Sequence, residues 1–329
     1  MINKIKERLS FLKRIELTKF SAFASSYCYN LPEEIQIELT TRCNLNCPWC
    51  GRKQTKDKSA VIDKIKLKEF IKTLKGIKKV RFVGGGEPLL YPDLVEIIRF
   101  GKRYIPNVSL TTNGVLLDKK IISELVESGL SDIAVSLDGT DKKTCYKTKG
   151  TDLNQIVKNV KTLRQISNLP IEIWAVVSKE NLESLKSIPE LAKSLGASYI
   201  QFDHMDEIVS SNPFHKIEYN SPELREFVAI VADKCKNLNI KSNAEHLLIP
   251  KNNLFNSKIC MIPFFYPFID VNGDLTVCCI NHQKLVNVFG KSFKEIWNSK
   301  ETCNLRKKII QGKYPGFCKE ICGYGINKN

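Results

Sequence analysis

Short apolar runs alternate with longer amphipathic segments from residue 33 onward. The runs are rich in Val, Ile and Phe, which is typical of buried strands, and the segments between them have helical spacing. The predicted strands are Ile35–Leu39, Val80–Val83, Val108–Thr111, Ile133–Leu137, Ile171–Val177 and Tyr199–Phe202. The predicted helices cover about 63–75, 91–104, 118–128, 152–167 and 181–195. Six strands separated by five helices predict an α/β fold with a parallel sheet, open or closed as a barrel.

The alternation ends after the sixth strand, and the remaining chain has a different composition. Residues 206–250 predict a linker with one helix, at about 221–237. Residues 251–329 hold six cysteines and several Pro, Gly and aromatic residues, which favours a small domain stabilised by metal. The predicted organisation is therefore a basic helical extension (1–32), an α/β domain (33–205), the linker (206–250) and a cysteine-rich domain (251–329).

The chain has 51 Lys and Arg against 35 Asp and Glu, a formal net charge of +16. A solvated lysine-rich surface is the simplest interpretation. An acidic or phosphorylated substrate, a nucleic acid and an anionic membrane surface are the alternatives. Basic residues are spread along the chain and no RNA-binding motif accompanies them, so charge alone does not establish nucleic-acid binding.

The location of the protein follows from what its sequence lacks. No stretch of 18 apolar residues is present, and the N-terminus has no secretory signal, so we expect a cytoplasmic protein without a transmembrane helix. Thiols stay reduced in the cytoplasm, and the twelve cysteines are therefore not expected to form disulfides. Their clustering favours metal binding.

The segment TTRCNLNCPWC, which follows the first predicted strand, holds three cysteines in a C-x3-C-x2-C pattern: Cys43, Cys47 and Cys50. Loops at the carboxyl ends of parallel strands carry the chemistry of such folds. Three thiolates can hold three irons of a cubane cluster and leave the fourth iron open to another ligand. A structural zinc site normally has four protein ligands, so zinc would need a distant fourth residue.

This pattern, with the aromatic Trp49 before the last cysteine, resembles the motif of the radical S-adenosylmethionine (radical SAM) enzymes. The resemblance implies a partial (β/α)6 TIM-like barrel and a 4Fe–4S cluster whose open iron binds SAM. It also implies an electron donor such as flavodoxin or ferredoxin. One electron would cleave SAM to a 5′-deoxyadenosyl radical, which abstracts a hydrogen atom from the substrate.

Three further segments fit the same family. VGGGEPLL (83–90) follows the second strand, and its glycines let the backbone approach a ligand; in the family this position binds the amino group of SAM. LTTNG (110–114) and SLDG (136–139) follow the next two strands and are similar to segments that line the methionine and ribose of SAM. Ordinary turn formation is the alternative for each. The implied SAM contacts are Gly85, Gly86, Glu87, Asn113, Ser136 and Asp138.

Two more positions are implied with less support from the pattern. Val177 ends the hydrophobic strand that would face the adenine, although core packing explains it equally well. Lys147, in CYKTKG (145–150), stands where many relatives with a C-terminal cluster have an Arg that binds the SAM carboxylate. Lysine keeps the charge of arginine but loses the planar fork that holds a carboxylate at two points.

The C-terminal cysteines resemble the auxiliary-cluster domains called SPASM and Twitch. The expected ligands of one auxiliary 4Fe–4S cluster are Cys260, Cys278, Cys318 and Cys322. The phrase FGKSFKEIWNS (289–299) matches a helical segment common in that group. Zinc in a four-cysteine site is the alternative.

Candidate catalytic residues follow from their predicted position at the barrel mouth. Asp203 and His204, after the sixth strand, could remove a proton from a substrate radical, or could belong to a hydrogen-bonded loop. Cys145 could return a hydrogen atom, as in radical epimerases, or could be an inert buried thiol.

The substrate is less defined. About 33 residues precede the first strand, too few for the leader-binding module of many peptide-modifying relatives. This favours a small substrate of sugar or cyclitol type, such as an aminosugar, a cyclitol or a nucleotide-linked sugar. The lysine surplus would suit a phosphorylated one. We expect dehydrogenation or epimerisation of this substrate. Peptide modification with a separate leader-binding protein is the alternative, and RNA modification or a non-catalytic metal scaffold is less favoured.

Overall fold

The computed structural model describes residues 26–28, 30–205, 216–219, 221–248, 260, 262–276, 278 and 283–315. Its ten strands within these residues form one sheet in the order β10-β9-β8-β1-β2-β3-β4-β5-β6-β7. The strands are β1 (Glu34–Ile37), β2 (Lys79–Phe82), β3 (Asn107–Thr112), β4 (Asp132–Ser136), β5 (Ile171–Val177), β6 (Tyr199–His204), β7 (Lys241–Ser242), β8 (Phe268–Ile269), β9 (Asp274–Thr276) and β10 (Lys284–Asn287).

The six predicted strands are all present, and their ends differ from the prediction by at most two residues. β1 to β7 pair in parallel in chain order, as expected from strand–helix repeats. The predicted fold class is confirmed: the sheet and its covering helices have the architecture of a partial TIM-like barrel.

The helices lie between these strands and after them. They are α1 (Lys64–Lys72), α2 (Leu94–Gly101), α3 (Lys119–Glu127), α4 (Lys142–Lys149), α5 (Leu153–Ile166), α6 (Leu182–Leu185), α7 (Ile188–Ser194), α8 (Pro222–Asn237), α9 (Ile262–Phe265), α10 (Phe293–Trp297) and α11 (Lys300–Ile310). An aspartate side chain accepts a hydrogen bond from a first-turn N–H at the start of α1, α3, α4 and α5, which fixes where each begins. Helix α4 is absent from the sequence prediction. In the described part of the chain, no helix combines the length and the apolar character that crossing a membrane requires.

The C-terminal segment extends the same sheet. β8 pairs in parallel with β1, and β9 and β10 continue as antiparallel neighbours. Trp297 packs at the junction, where its indole N–H donates to the carbonyl of Asn30 at 3.2 Å. The cysteine-rich region is thus joined to the α/β domain through main-chain hydrogen bonds.

Side chains on one face of the parallel strands point into the barrel, and those on the other face pack under the helices. On β5, Ile171, Ile173, Ala175 and Val177 are buried, while Glu172, Trp174 and Val176 are half-buried. The inward residues oppose inward residues of β6, with Glu172 beside Tyr199, Trp174 beside Gln201 and Val176 beside Asp203. The more exposed side chains therefore line an internal cavity and the most buried ones form the outer core.

Candidate active site

A cavity of 1420 Å³ opens inside the barrel. Its wall includes the three cysteines of the C-x3-C-x2-C pattern, the glycine-rich turn after β2, the ends of β3 and β4, and the inward side chains of β5 and β6. This volume exceeds the ~300–1,000 Å³ of a typical small-molecule pocket, so more than one ligand fits.

The loop that carries Cys43, Cys47 and Cys50 is held in place by its backbone. The N–H of Cys50 donates to the carbonyl of Cys47 at 3.2 Å, and the N–H of Thr41 donates to the carbonyl of Ala60 at 3.0 Å. Burial raises the pKa of the Cys47 thiol to about 11, so this thiol is protonated until a cation stabilises the thiolate.

These thiols do not form a ready-made ion site. Within the described residues, no three His, Cys, Asp or Glu side chains converge as ligands of a single metal ion. Three sulfurs on the wall of a roomy cavity fit a larger iron–sulfur cluster better, because such a cluster spreads its ligands over several irons.

Gly86 brings the glycine-rich turn against this loop. A Cβ atom at Gly86 would lie 2.1 Å from the carbonyl oxygen of Thr40 and 2.6 Å from that of Arg42. The N–H of Glu87 donates to the same Arg42 carbonyl at 2.7 Å. Glycine is therefore required here for close approach of two backbones.

We expect Gly86→Ala to reduce 5′-deoxyadenosine formation about tenfold or more, because the methyl group forces the two backbones apart. Cleavage of SAM by the reconstituted enzyme, together with iron content, measures the effect. Gly101→Ala is the matched control, since Gly101 is buried on α2 away from the cavity and its Cβ would lie no closer than 3.3 Å to a neighbour. Equal activity of the two variants would contradict the proposed contact.

The Glu87 carboxylate lies on the cavity wall but already accepts three protein hydrogen bonds. They come from Thr112 Oγ1 at 2.7 Å, the N–H of Asn113 at 2.8 Å and the N–H of Leu89 at 3.1 Å. Burial raises the pKa of Glu87. Its first role is to fix the end of β3 beside the glycine turn, and a SAM ammonium would share its remaining acceptor capacity.

Asn113 also lies on this wall and connects β3 to the cysteine loop. Its side-chain amide donates to Asn44 Oδ1 at 2.8 Å, and its oxygen accepts the N–H of Val115 at 3.0 Å. Trp49, Gly85 and Gly86 line the same space. The structure therefore brings together the predicted residues of the first three strand ends.

Glu38 was missed by the sequence analysis. It is buried just after β1, where one oxygen accepts the N–H of Gly85 at 2.7 Å and the other accepts the N–H of Val271 at 3.2 Å. It thereby ties the glycine turn to the C-terminal segment. A lone acidic residue in the apolar run IQIEL was the available signal.

An ion pair that the sequence did not predict lies at the end of β4. Lys149 Nζ lies 3.0 Å from Asp138 Oδ2 and donates to Ser136 Oγ at 2.9 Å, and both charged residues are buried. Burial lowers the pKa of Lys149, but the charge and hydrogen bond of Asp138, together with the nearby Cys47 and Cys145, outweigh burial and raise the pKa, so the ammonium is charged at neutral pH. Asp138 also accepts the N–H of Val176 at 2.8 Å.

Three predicted residues are not brought to the cavity. Lys147 lies on the exposed face of α4, and Lys149, two positions further on, lines the cavity instead. Val177 is packed in the outer core, because alternation along β5 directs Val176 inward. Cys145 lies on α4 with its side chain fully buried, and burial raises its pKa to about 11, which fits an inert thiol.

Asp203 and His204 both contribute to the cavity wall but have different surroundings. Asp203 points inward, where Gln201 Nε2 donates to Asp203 Oδ1 at 3.3 Å. His204 is buried, with Nε2 at 2.8 Å from the Leu247 carbonyl and its ring centroid 4.2 Å from that of Tyr219. Asp203 is thus the better placed of the two to meet a substrate.

The C-terminal cysteines are described only in part. Cys260 lies on the cavity wall, and its N–H donates to the Tyr314 hydroxyl oxygen at 3.2 Å. Cys278 follows β9 and is half-buried. Cys318 and Cys322 lie outside the described residues, so the ligand set of the auxiliary cluster stays a prediction.

Comparison with known proteins identifies two families along the chain. Residues 37–192 match the radical SAM superfamily, and residues 260–323 match SPASM, an iron–sulfur cluster-binding domain.

Individual relatives agree with this assignment. A probable GTP 3′,8-cyclase of Methanococcus aeolicus is 30% identical over 275 residues, covering 78% of this chain and 88% of that protein. The AdoMet-dependent heme synthase of Methanosarcina barkeri is 36% identical over 172 residues, 51% of this chain and about half (49%) of the relative. The fold is similar to that of Streptococcus suis SuiB bound to the precursor peptide SuiA, with a TM-score of 0.70, 19% identity and coverage of 92% of this chain and 70% of SuiB.

These matches agree with the cysteine loop, the glycine turn and the partial barrel. They imply a 4Fe–4S cluster, SAM and further iron–sulfur ligation in the C-terminal domain as cofactors. The chain is a member of the radical SAM superfamily with a C-terminal SPASM domain.

Proposed function

We propose that this radical SAM enzyme dehydrogenates a hydroxyl group of a small sugar-like or cyclitol-like substrate. One observation carries the proposal: Cys43, Cys47 and Cys50, the SPASM residue Cys260 and the carboxylate of Asp203 all line the same cavity. A substrate in this cavity would have a site of hydrogen abstraction, a base and a second redox group within one enclosure.

When bound, the cofactors supply the 5′-deoxyadenosyl radical and, at the SPASM cysteines, an acceptor for one electron. Oxidation of an alcohol to a carbonyl removes a hydrogen atom from carbon, a proton from oxygen and one further electron. The hydrogen atom ends in 5′-deoxyadenosine and the electron on the auxiliary acceptor, so the chain itself must accept the proton.

Asp203 is our candidate for that proton acceptor. Its side chain faces the cavity from β6, opposite Val176 of β5. Gln201 donates a hydrogen bond to its Oδ1, and the carboxylate keeps acceptor capacity for a substrate hydroxyl. His204 is less suited, because its Nε2 is engaged with the Leu247 carbonyl.

We expect Asp203→Asn to retain SAM cleavage but to lower carbonyl product by about 100-fold, the usual contribution of a general base. The measurement is the ratio of 5′-deoxyadenosine to a product lighter by two hydrogens, determined by mass spectrometry after anaerobic turnover with dithionite or reduced flavodoxin. Asp233→Asn, on the exposed side of α8, is the control and should retain the wild-type ratio.

Other outcomes would assign a different reaction. Deuterium uptake from solvent without loss of two hydrogens would favour epimerisation. SuiB, whose fold is similar, is bound to a precursor peptide, so peptides belong in the same substrate screen. Turnover of a peptide but of no sugar or cyclitol would overturn the proposed substrate class.

A further inference from the structure

Charged side chains near the amino-terminal ends of β1, β2 and β5 line one part of the cavity. Arg81 lies among them, and its side chain is 3% exposed. Its Nη2 lies 3.1 Å from Asp132 Oδ1 and 3.2 Å from Glu172 Oε2, and its Nε lies 3.4 Å from Glu34 Oε1. We call the group of Glu34, Lys79, Arg81, Asp132 and Glu172 the barrel floor.

The barrel floor carries more negative than positive charge. Lys79 Nζ lies 3.0 Å from Asp132 Oδ2, so Asp132 is shared by both cations. The carboxylates of Glu34 and Glu172 remain against the single positive charge of Arg81. Lys284 also lines the cavity but is paired with Asp274 at 2.5 Å. The barrel floor is therefore negatively charged, whereas the chain as a whole has a net charge of +16. Partly buried carboxylates in excess are stabilised by a cation bound beside them.

Aromatic rings surround the same carboxylates. Trp174 Nε1 donates to Glu172 Oε2 at 2.9 Å, and the Arg81 guanidinium lies 4.8 Å from the Trp174 ring centroid. Burial raises the pKa of Tyr199 to about 12, with Glu172 and Asp203 adding to the shift. Burial also raises the pKa of Tyr266, and the negative charges of Glu34 and Asp203 add to this rise. The carboxylates therefore act on one common space.

Glu172 retains an acceptor for a ligand in that space. Both of its hydrogen bonds within the described residues, from Arg81 and Trp174, end on Oε2. Its other oxygen, Oε1, can accept a bond from a cation, and its side chain is 22% exposed. Carboxylates beside aromatic rings are the surroundings that bind an organic cation.

We propose that the barrel floor binds a protonated amine of the substrate, with Glu172 and Glu34 as its carboxylate partners. The inference rests on the proposed function and narrows its substrate to an amino sugar or aminocyclitol. The hydroxyl groups of such a ligand find amides at Gln36 and Gln201 on the same wall. A phosphorylated substrate, which the basic composition favours, would meet repulsion at this floor.

Binding to the anaerobically reconstituted, SAM-loaded enzyme tests the proposal by calorimetry. The probes are glucosamine against glucose, scyllo-inosamine against scyllo-inositol, glucose 6-phosphate, and the amide of Nα-acetyl-lysine as a peptide-like amine. We expect each amino sugar or aminocyclitol to bind about tenfold or more tightly than its alcohol counterpart. Glu172→Gln and, separately, Glu34→Gln should each reduce that preference about tenfold, and Glu183→Gln, 81% exposed on α6, should not.

Three outcomes overturn the inference: equal binding of amines and alcohols, tightest binding of glucose 6-phosphate, or no binding of any amine. Tightest binding of the lysine derivative would support the amine subsite and assign it to a peptide side chain. SAM cleavage measured in the same preparations distinguishes failure of the proposed function from failure of the amine subsite. If cleavage is absent, the proposed function fails; if cleavage persists without amine preference, only the amine subsite fails.

Discussion

Replacing Cys43, Cys47 and Cys50 together by Ala is expected to lower the iron content from about eight to about four atoms per chain and to abolish 5′-deoxyadenosine formation. The three thiols line the cavity beside the glycine turn, and the SPASM cysteines belong to a separate segment of the chain. Loss of the first three thiols should therefore leave the auxiliary cluster bound to the SPASM cysteines. Iron and sulfide analysis after anaerobic reconstitution, followed by SAM cleavage under dithionite, measures both effects.

A matched triple variant controls for the loss of thiols as such. Cys28, Cys145 and Cys235 are buried and do not line the cavity, so changing all three to Ala should leave about eight irons. A wild-type protein with only about four irons, all lost in the first variant, would contradict the auxiliary cluster. Redox-neutral epimerisation would then replace dehydrogenation as the proposed reaction.

Lys149→Met is expected to destabilise the protein by about 3–5 kcal/mol, because it leaves the buried Asp138 carboxylate without its partner. Methionine keeps most of the volume of lysine, so lost charge dominates the effect. Denaturant unfolding of the reduced apoprotein measures this loss of stability.

Lys147→Met is the control for this variant, because Lys147 lies on the same helix with an exposed side chain. Its effect should stay within about 0.5 kcal/mol. Adding Asp138→Asn to Lys149→Met should restore stability, since the amide can still accept the Val176 N–H without a charge. Equal destabilisation by Lys147→Met, or an additive double variant, would contradict the buried pair.

The strands and the first three strand-end motifs could be predicted from the sequence for a physical reason. Parallel strands covered on both sides appear as short apolar runs, and Ile171–Val177 was located to the residue. The cysteine loop and the glycine turn are local features, with their residues close together in the chain. Such features need no knowledge of distant contacts.

The remaining site depends on tertiary contacts. Helix α4 has the sequence KKTCYKTK, which lacks a helical apolar stripe, so the sequence does not predict this helix. Without the helix, the pattern cannot tell that Lys149 faces the cavity and that Lys147 does not. The sequence pattern predicts Val177 and the structure places Val176 on the cavity, because alternation along a strand does not reveal which face borders a cavity. Glu38 and Arg81 find their partners more than 40 residues away, at Gly85 and Asp132, and local sequence contains no signal for those pairings.

The pairing of β8 with β1 affects how the protein is made. On the ribosome, β1 emerges early, and its neighbour at one edge is synthesised more than 200 residues later. During that interval β1 has unpaired N–H and C=O groups along one edge, and these groups can pair with strands of other nascent chains. Removing the cysteine-rich segment by truncation would make this exposure permanent. Cysteine substitution in the full-length chain is therefore the way to delete the auxiliary cluster without creating an aggregating strand edge.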